Sequence, residues 1–168
     1  MLTSILFAMN DAPTDRLVLD SQLCFALYRA NRAVVRSYRP LLAELGLTYP
    51  QYLVMLVLWE ADEPVPLKFI DSRLGLDSGT LTPLLKRLEK QGYVQRWRDP
   101  DDERRTLAAL TADGASLRTR AECIPEAMAA AYKEVGLDLA EFKKSLDILA
   151  GVPVDVELPW PSGDDFVG

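Results

Sequence analysis

Two thiols carry the strongest capacity for chemistry in this chain, Cys24 and Cys123. They stand 99 positions apart, which fits neither the dense spacing of a disulfide framework nor that of a zinc knuckle. A thiolate can attack a peroxide and become a sulfenic acid, which a second thiol can then capture as a disulfide. The residue types therefore allow redox chemistry at Cys24, and a buried, inert core thiol is the alternative interpretation.

The 168 residues contain no histidine. This excludes Ser–His–Asp and Cys–His catalysis and most zinc sites. The chain also lacks a thioredoxin-type CxxC pair and a peroxiredoxin-like signature, which argues against a thiol peroxidase. We therefore expect a protein that is not an enzyme and that needs no cofactor.

A second group of functional side chains lies on a predicted helix from Ser78 to Gln91. Short hydroxyl side chains in its first turn can approach base edges and phosphates, and a helix N-terminus attracts phosphate. Leucines cover one face and cations the other, which predicts a DNA-reading helix, with an ordinary amphipathic surface helix as the alternative. The residues expected to contact DNA from this helix are Ser78, Thr80, Thr82, Lys86 and Arg87.

Two short β-strands are predicted directly after this helix, Val94–Arg98 and Thr106–Leu110, with a charged loop between them. Within the loop, Asp102 can brace Arg104 by a charge-assisted bond, and an extended arginine at a hairpin tip suits a narrow minor groove. The alternative is a solvated charge run without a ligand. Further arginines that can reach phosphates are Arg96, Arg98 and Arg105.

The charge distribution agrees with this interpretation although the net charge is −6. Residues 67–105 carry nine Lys and Arg against seven Asp and Glu. Residues 1–66 carry five against seven, and residues 106–168 carry five against eleven. The predicted DNA-reading block is the one net-positive block of the sequence. An acidic protein can bind DNA in this way, because phosphates respond to the charges within about 10 Å.

The first part of the chain is predicted to be helical. An apolar stripe at helical spacing runs through residues 15–37, and Pro40 is expected to kink or restart that helix. The next helix, Pro50 to about Ala61, is apolar nearly all round and belongs in a core. Pro64 and Pro66 indicate a linker. A short helix from Leu67 to Leu74 then completes a helix-turn-helix with the DNA-reading helix.

The last part of the chain is also predicted to be helical. Thr111 caps a long helix of about Ala112–Val135, which Pro125 should bend or interrupt. Asp138 with Glu141 forms a capping box for a final helix that ends near Gly151.

No segment approaches the ~20 apolar residues of a membrane span, and the start, MLTSILFAM, has no cationic leader. We therefore expect a cytoplasmic protein, where thiols are kept reduced.

Two segments carry a family resemblance: LGLTYPQYLVMLVLWE (45–60) and LDSGTLTPLLKRLE (76–89). They resemble the organic-hydroperoxide regulators of the MarR family, and the resemblance covers roughly residues 17–135. It implies a mainly α fold with a small β-hairpin wing, a winged helix-turn-helix in a MarR-like intertwined homodimer. It also implies a palindromic double-stranded DNA operator with two recognition helices about one turn apart. The resemblance and the helix pattern together predict an N-terminal extension (1–14), a dimerisation helix (15–47), the winged helix-turn-helix (48–111) and C-terminal dimerisation helices (112–151). Three prolines and several acids indicate a flexible tail (152–168), which lies outside the resemblance.

The resemblance also implies the chemistry. Cys24, within QLCFALY (22–28), is the cysteine that attacks an organic hydroperoxide, and Tyr38 and Tyr49 are the tyrosines that donate hydrogen bonds to its sulfur. Some members carry a second cysteine that closes an intersubunit disulfide. Cys123 is the candidate, with a bystander role as the alternative, in which case a small cellular thiol completes the switch.

Helix geometry adds an independent constraint on this site. Cys24 and Tyr38 are 14 residues apart, which is about 21 Å of rise on one straight helix. If both serve one site, Tyr38 must come from the partner chain. The sensor is then expected at the dimer interface.

Other functions remain open at this point. A MarR-like repressor can instead be gated by a phenolic or aromatic-acid ligand in a crevice between the core and the reading domain. In that case, a Cys24→Ser variant would still be released by the ligand. A pure protein-interaction module is a further alternative, but it leaves the arginine-tipped wing unexplained.

Overall fold

The computed structural model describes residues 17–61, 63–134 and 136–151. A short 3-10 turn at Leu19–Ser21 precedes the first helix. The remaining elements, in chain order, are α1 (Leu23–Ala43), α2 (Tyr49–Glu60), β1 (Val65–Pro66), α3 (Leu67–Leu74), α4 (Ser78–Lys90), β2 (Val94–Arg98), β3 (Thr106–Leu110), α5 (Ala112–Ala121), α6 (Cys123–Glu134) and α7 (Leu139–Ala150). The expected N-terminal extension and C-terminal tail lie outside the described residues.

Helix α1 runs from Leu23 to Ala43 with Pro40 inside it, so the helix does not restart at this proline. A proline removes one main-chain hydrogen bond, the one to the residue four positions earlier, and it crowds that carbonyl. Here the turn after Pro40 is held by packing, because Leu42 is buried in the core with 1% of its surface exposed. The chain leaves the helix at Gly46, whose φ of +68° is a left-handed conformation that glycine adopts without strain.

Helix α2 forms the centre of the core, as its all-round apolar pattern predicts. Val54, Met55 and Leu58 on this helix are almost completely buried. Its N-terminus is capped at Thr48, whose backbone N–H donates a 2.8 Å hydrogen bond to the side-chain oxygen of Gln51. The Gln51 side chain is itself buried, so this cap lies inside the folded domain.

Helices α3 and α4 are followed by the main part of a three-stranded antiparallel sheet of order β1-β3-β2. The bounds of β2 and β3 agree with the prediction. The predicted linker forms the edge strand β1, in which Val65 pairs with Ala108 and Pro66 pairs with Leu107. A proline is tolerated there because one side of an edge strand needs no backbone donor.

The predicted long helix after the wing is interrupted, as expected from Pro125. Helix α5 ends at Ala121 and α6 begins at Cys123, so the break falls at Glu122. A proline cannot donate to the carbonyl four positions earlier, which is that of Ala121, and this accounts for the position of the break. The side chain of Thr111 accepts a 3.0 Å hydrogen bond from Gly114 N–H and caps α5.

The chain divides into two compact units, residues 1–124 and 125–168. The first contains α1 to α5 and the sheet, and therefore the predicted DNA-binding elements. In the second, the Asp138 carboxylate accepts hydrogen bonds from the N–H groups of Ala140 and Glu141, which confirms Asp138 as the cap of α7, the first half of the predicted capping box. No helix within the described residues is both long and apolar enough to cross a membrane.

Candidate functional site

The first turn of α4 is organised by Asp77, a residue that no sequence pattern had singled out. Its carboxylate accepts a 2.8 Å hydrogen bond from the Thr80 N–H and a 3.0 Å bond from the Thr80 hydroxyl. These backbone and side-chain hydrogen bonds lower the pKa of Asp77 below its ordinary value. The carboxylate fixes where α4 begins, and it already engages one hydroxyl of the predicted DNA-contacting set.

The two faces of α4 separate as predicted. Four leucines form its inner face and are buried: Leu81, Leu84, Leu85 and Leu88. Ser78, Lys86 and Arg87 are exposed and Thr82 is half-buried. The outer face therefore presents hydroxyl groups near the N-terminus and cations further along, which is an arrangement suited to a polyanion.

The wing tip has the brace expected from its sequence. The Arg104 Nε donates a 3.1 Å hydrogen bond to the Asp102 carboxylate, which also accepts from the backbone N–H of Arg104. Almost all of the Arg104 side chain, 92%, is nevertheless exposed. The guanidinium is thus oriented by Asp102 and still accessible.

The base of the wing loop is held by Asp99, a second residue that its sequence context did not single out. Its buried carboxylate accepts a 3.0 Å hydrogen bond from the Asp101 N–H and lies 3.5 Å from the Arg105 Nε. Its backbone N–H donates to the Arg105 carbonyl. Arg105 thus has a role in closing the loop, and its side chain remains half exposed.

Arg96 is less available for phosphate than the other wing arginines. It donates two hydrogen bonds to the Glu89 carboxylate, one of them 3.2 Å long from Nε. Only 16% of its side chain is exposed. This ion pair ties β2 to the last turn of α4, so Arg96 positions the wing relative to the helix.

Several aromatic rings cluster where α1 packs on α2. The Tyr38 ring lies 5.1 Å from that of Tyr49 and 6.0 Å from that of Tyr52, measured between centroids. Tyr52 in turn lies 6.1 Å from Trp59. The structure therefore brings together the two tyrosines expected to serve the thiol. It adds Tyr52, which its position in an apolar run had indicated only as core.

Burial raises the pKa of both Tyr49 and Tyr52. For Tyr52, the charges of Tyr49 and Cys123 raise the pKa further, so Cys123 lies within electrostatic reach of this cluster. Both phenols therefore stay protonated at neutral pH and can act as hydrogen-bond donors. A sulfur anion is the kind of group that such donors stabilise.

The two thiols occupy different environments. Cys24 is exposed on the single subunit, in the first turn of α1, so it is not a core thiol of that subunit. Cys123 is exposed at the start of α6, and its thiol donates a 3.5 Å hydrogen bond to the Arg120 carbonyl. Because α1 is continuous, Cys24 and Tyr38 lie towards opposite ends of one helix within a subunit.

The similarity to known proteins agrees with this arrangement. The family described as "Transcriptional regulator SarA/Rot" matches residues 36–120. The organic hydroperoxide resistance transcriptional regulator of Bacillus subtilis is 47% identical over 132 residues, which are 79% of this chain and 89% of that protein. The chain belongs to the MarR family of winged-helix regulators. The HTH-type transcriptional regulator TtmR of Methylorubrum extorquens is 53% identical over 134 residues, 80% of this MarR-family chain and 67% of that protein.

Solved structures extend the comparison to the fold of this MarR-family protein. Overoxidized AbfR bound to DNA, from Staphylococcus epidermidis, is 38% identical with a TM-score of 0.63, and the match covers 79% of this chain and 94% of that one. CouR from Rhodococcus jostii bound to p-coumaroyl-CoA is 27% identical with a TM-score of 0.69, and the match covers 84% and 99%. The winged-helix fold is therefore shared both by a regulator crystallised in an oxidised form and by one that holds a small ligand.

Proposed function

We propose that this protein is a redox-sensing transcriptional repressor that leaves its DNA operator when an organic hydroperoxide oxidises Cys24. One observation carries the proposal: the rings of Tyr38 and Tyr49, which belong to different helices, lie 5.1 Å apart. A cluster of partly buried phenols supplies hydrogen-bond donors of the kind that stabilise a thiolate. The winged-helix fold alone does not favour a thiol as the sensor. The paired phenol hydroxyls of Tyr38 and Tyr49 do favour one, because they can donate hydrogen bonds to a sulfur anion.

The DNA-binding part of the proposal rests on α4 and the wing. Ser78, Lys86 and Arg87 are exposed on the outer face of α4, and Arg104 is exposed at the wing tip. A helix of this kind fits the major groove, and an extended arginine fits a narrow minor groove beside it. We assign Thr80 and Thr82 to the helix N-terminus that approaches the DNA, and Arg96, Asp102 and Arg105 to holding the wing in place.

The working form is a homodimer. Exposed apolar side chains occur before and in the first turn of α1, at Leu17, Leu19 and Leu23, and on α7, at Phe142 and Ile148. A second copy of the chain is the natural cover for such side chains, and two-fold symmetry matches a palindromic operator. In the dimer, Cys24 of one subunit meets the two tyrosines of the other.

The chemistry is a two-electron oxidation. The Cys24 thiolate attacks the terminal oxygen of the hydroperoxide, the O–O bond breaks, and an alkoxide leaves and takes up a proton to become an alcohol. Cys24 is then a sulfenic acid. A second thiol attacks its sulfur, a disulfide forms and water leaves. Cys123 is our candidate for that thiol, because it lies near enough to Tyr52 of the aromatic cluster to affect the pKa of that phenol.

A gel-shift titration on the protein's own upstream promoter tests the proposal. Wild type and Cys24→Ser are compared before and after an organic hydroperoxide. Release of wild type alone, reversed by dithiothreitol, supports the switch, and Cys123→Ser then tests the second thiol. If both proteins ignore the peroxide, the redox proposal is wrong. Steady turnover of the peroxide with a reductant would instead indicate a thiol peroxidase.

A second candidate function has one structural observation in its favour. A cleft of about 460 Å³ lies between α2, β3 and α5, lined by Trp59, Leu110 and Arg118 among others. Its volume suits a small ligand, and the Trp59 ring with the Arg118 guanidinium suits an aromatic acid, while Glu63 in the same lining would oppose a carboxylate placed beside it. If the repressor is gated in this way, a phenolic acid releases wild type and Cys24→Ser equally from DNA.

A further inference from the structure

The turn between α1 and α2 accepts hydrogen bonds at three successive carbonyls, one from α5 and two from the segment after the recognition helix α4. The Glu44 carbonyl accepts a 2.7 Å bond from Arg120. The Leu45 carbonyl accepts a 3.4 Å bond from the Tyr93 hydroxyl, and that of Gly46 accepts a 2.7 Å bond from Gln91. Carbonyls at the end of a helix lack helical partners, so such bonds satisfy them. Here the partners come from α5 and from the segment that joins α4 to β2.

Gln91 is the centre of this connection. It follows the last residue of α4, and its N–H donates a 2.9 Å bond to the Arg87 carbonyl. Its side-chain nitrogen donates to Gly46, and its side-chain oxygen accepts a 3.0 Å bond from Gln51. One side chain thus contacts the α1–α2 turn and α2 at the same time.

Gln51 carries the connection to the proposed sensor. Its side-chain oxygen accepts bonds of 2.8 and 3.0 Å from the N–H and the hydroxyl of Thr48. Thr48 directly precedes Tyr49, the first residue of α2. The Gln51 side chain is buried, where a broken hydrogen bond is costly and the arrangement is correspondingly fixed.

We infer that Gln91 is a positioning residue that couples the thiol site to the recognition helix, through Gln51 and the turn that precedes Tyr49. The inference rests on the proposed redox function. A displacement of Tyr49 on oxidation moves Thr48 and Gln51 with it. The two hydrogen bonds of the Gln91 side-chain amide, to Gln51 and to Gly46, pass this movement to the end of α4. Coupling of this kind is a difference between the DNA affinities of the reduced and oxidised proteins.

The test is Gln91→Met, which keeps the length of the side chain and removes both hydrogen bonds of the side-chain amide. We expect the reduced variant to bind operator DNA within about threefold of wild type, and Cys24 to form sulfenic acid at the wild-type rate. The ratio of oxidised to reduced Kd should fall by about tenfold or more, as expected for a coupling free energy in the usual range. Gln95→Met, on the exposed face of β2, is the matched control and should keep the wild-type ratio.

Two results would overturn the inference. One is a Gln91→Met protein whose ratio of oxidised to reduced Kd for operator DNA equals that of wild type. The other is loss of DNA binding by the reduced variant with an unchanged thermal midpoint, which would place Gln91 in DNA binding itself. If Gln91→Met does not fold, Gln91→Glu replaces it, because this variant keeps the acceptor for Gln51 and loses the donor to Gly46. Failure of the proposed function is distinct, since wild type would then keep its operator after peroxide treatment.

Discussion

Cys24 and Tyr38 lie on one unbroken helix, 14 residues apart, and are therefore separated by about 21 Å along its axis. The thiol and the phenol cannot meet within one subunit at that separation. The Tyr38 ring is instead held against Tyr49 and Tyr52, towards the far end of the helix. A thiol site built from both residues requires two subunits, and oxidation then acts directly at the interface between them.

Replacing Tyr38 by phenylalanine should slow the oxidation of Cys24 and leave DNA binding by the reduced protein unchanged. The ring packing is kept, while one hydrogen bond to a charged sulfur is removed, which should slow the reaction by about tenfold or more. Trapping of the sulfenic acid at timed intervals after hydroperoxide addition measures the rate. Tyr28→Phe, on the same helix, is the control. A reduced Tyr38→Phe protein that no longer binds DNA would show that the assigned role is wrong.

Replacing Arg104 by alanine should weaken operator binding by about tenfold, because an extended cation at a narrow minor groove is removed. The slope of log K against log salt should also become less negative, by about one for each phosphate that the variant no longer neutralises. Fluorescence anisotropy at several salt concentrations measures both quantities. Cys24 should react with peroxide at the wild-type rate.

Arg118→Ala, which removes an exposed arginine of α5, is the matched control for Arg104. It changes the net charge equally and should leave the DNA affinity close to that of wild type. Equal losses of affinity in the two variants would mean that the effect is one of overall charge, and the proposed role of the wing tip would then be abandoned.

Local patterns were sufficient to predict most of the secondary structure. The bounds of α3, β2 and β3 were predicted to the residue, and α4 to within one residue. These elements are marked by short-range signals: leucine periodicity, a Ser-rich start, and turn residues around a charged loop. The ion pair between Asp102 and Arg104 was also predictable, because both residues belong to the same loop.

Interactions between distant parts of the chain were not predictable in this way. Strand β1 exists because Val65 pairs with Ala108, and Gln91 donates to Gly46 across 45 residues. Tyr52 resembled a core residue in an apolar helix, and only packing shows that its ring lies near Tyr38. A local rule allows a helix to restart at Pro40, but α1 continues past it, where Leu42 of the following turn is buried in the core.

Replacing Asp77 should destabilise the protein at neutral pH, because its carboxylate caps α4. Its folded pKa is lowered, so the stabilisation is present above the unfolded pKa, about 3.9, and is lost as pH falls through the folded pKa. The thermal midpoint of Asp77→Ala should therefore lie below that of wild type at pH 7, and the difference should shrink towards about pH 3.

Asp77→Asn is the control for this pH dependence. It retains a capping oxygen that does not titrate, so its thermal midpoint should differ less from that of wild type at pH 7. If the thermal midpoints of Asp77→Ala and wild type differ by the same amount at every pH, the explanation is contradicted, because the cap would then act without its charge.

Replacing Gly114 by alanine should be among the most damaging small changes in the first unit. A Cβ at this position would overlap the Tyr93 carbonyl oxygen and lie 2.9 Å from its carbonyl carbon. The Gly114 carbonyl also accepts a 2.9 Å bond from the Trp59 indole, so a shift of the backbone would disturb that bond. We expect a loss of about 3 kcal/mol in the free energy of unfolding, at the upper end for overpacking. Urea denaturation measures it, with Ala115→Gly as the neighbouring control at about 1 kcal/mol. A loss in Gly114→Ala no larger than in the control would show that α5 can move away from Tyr93.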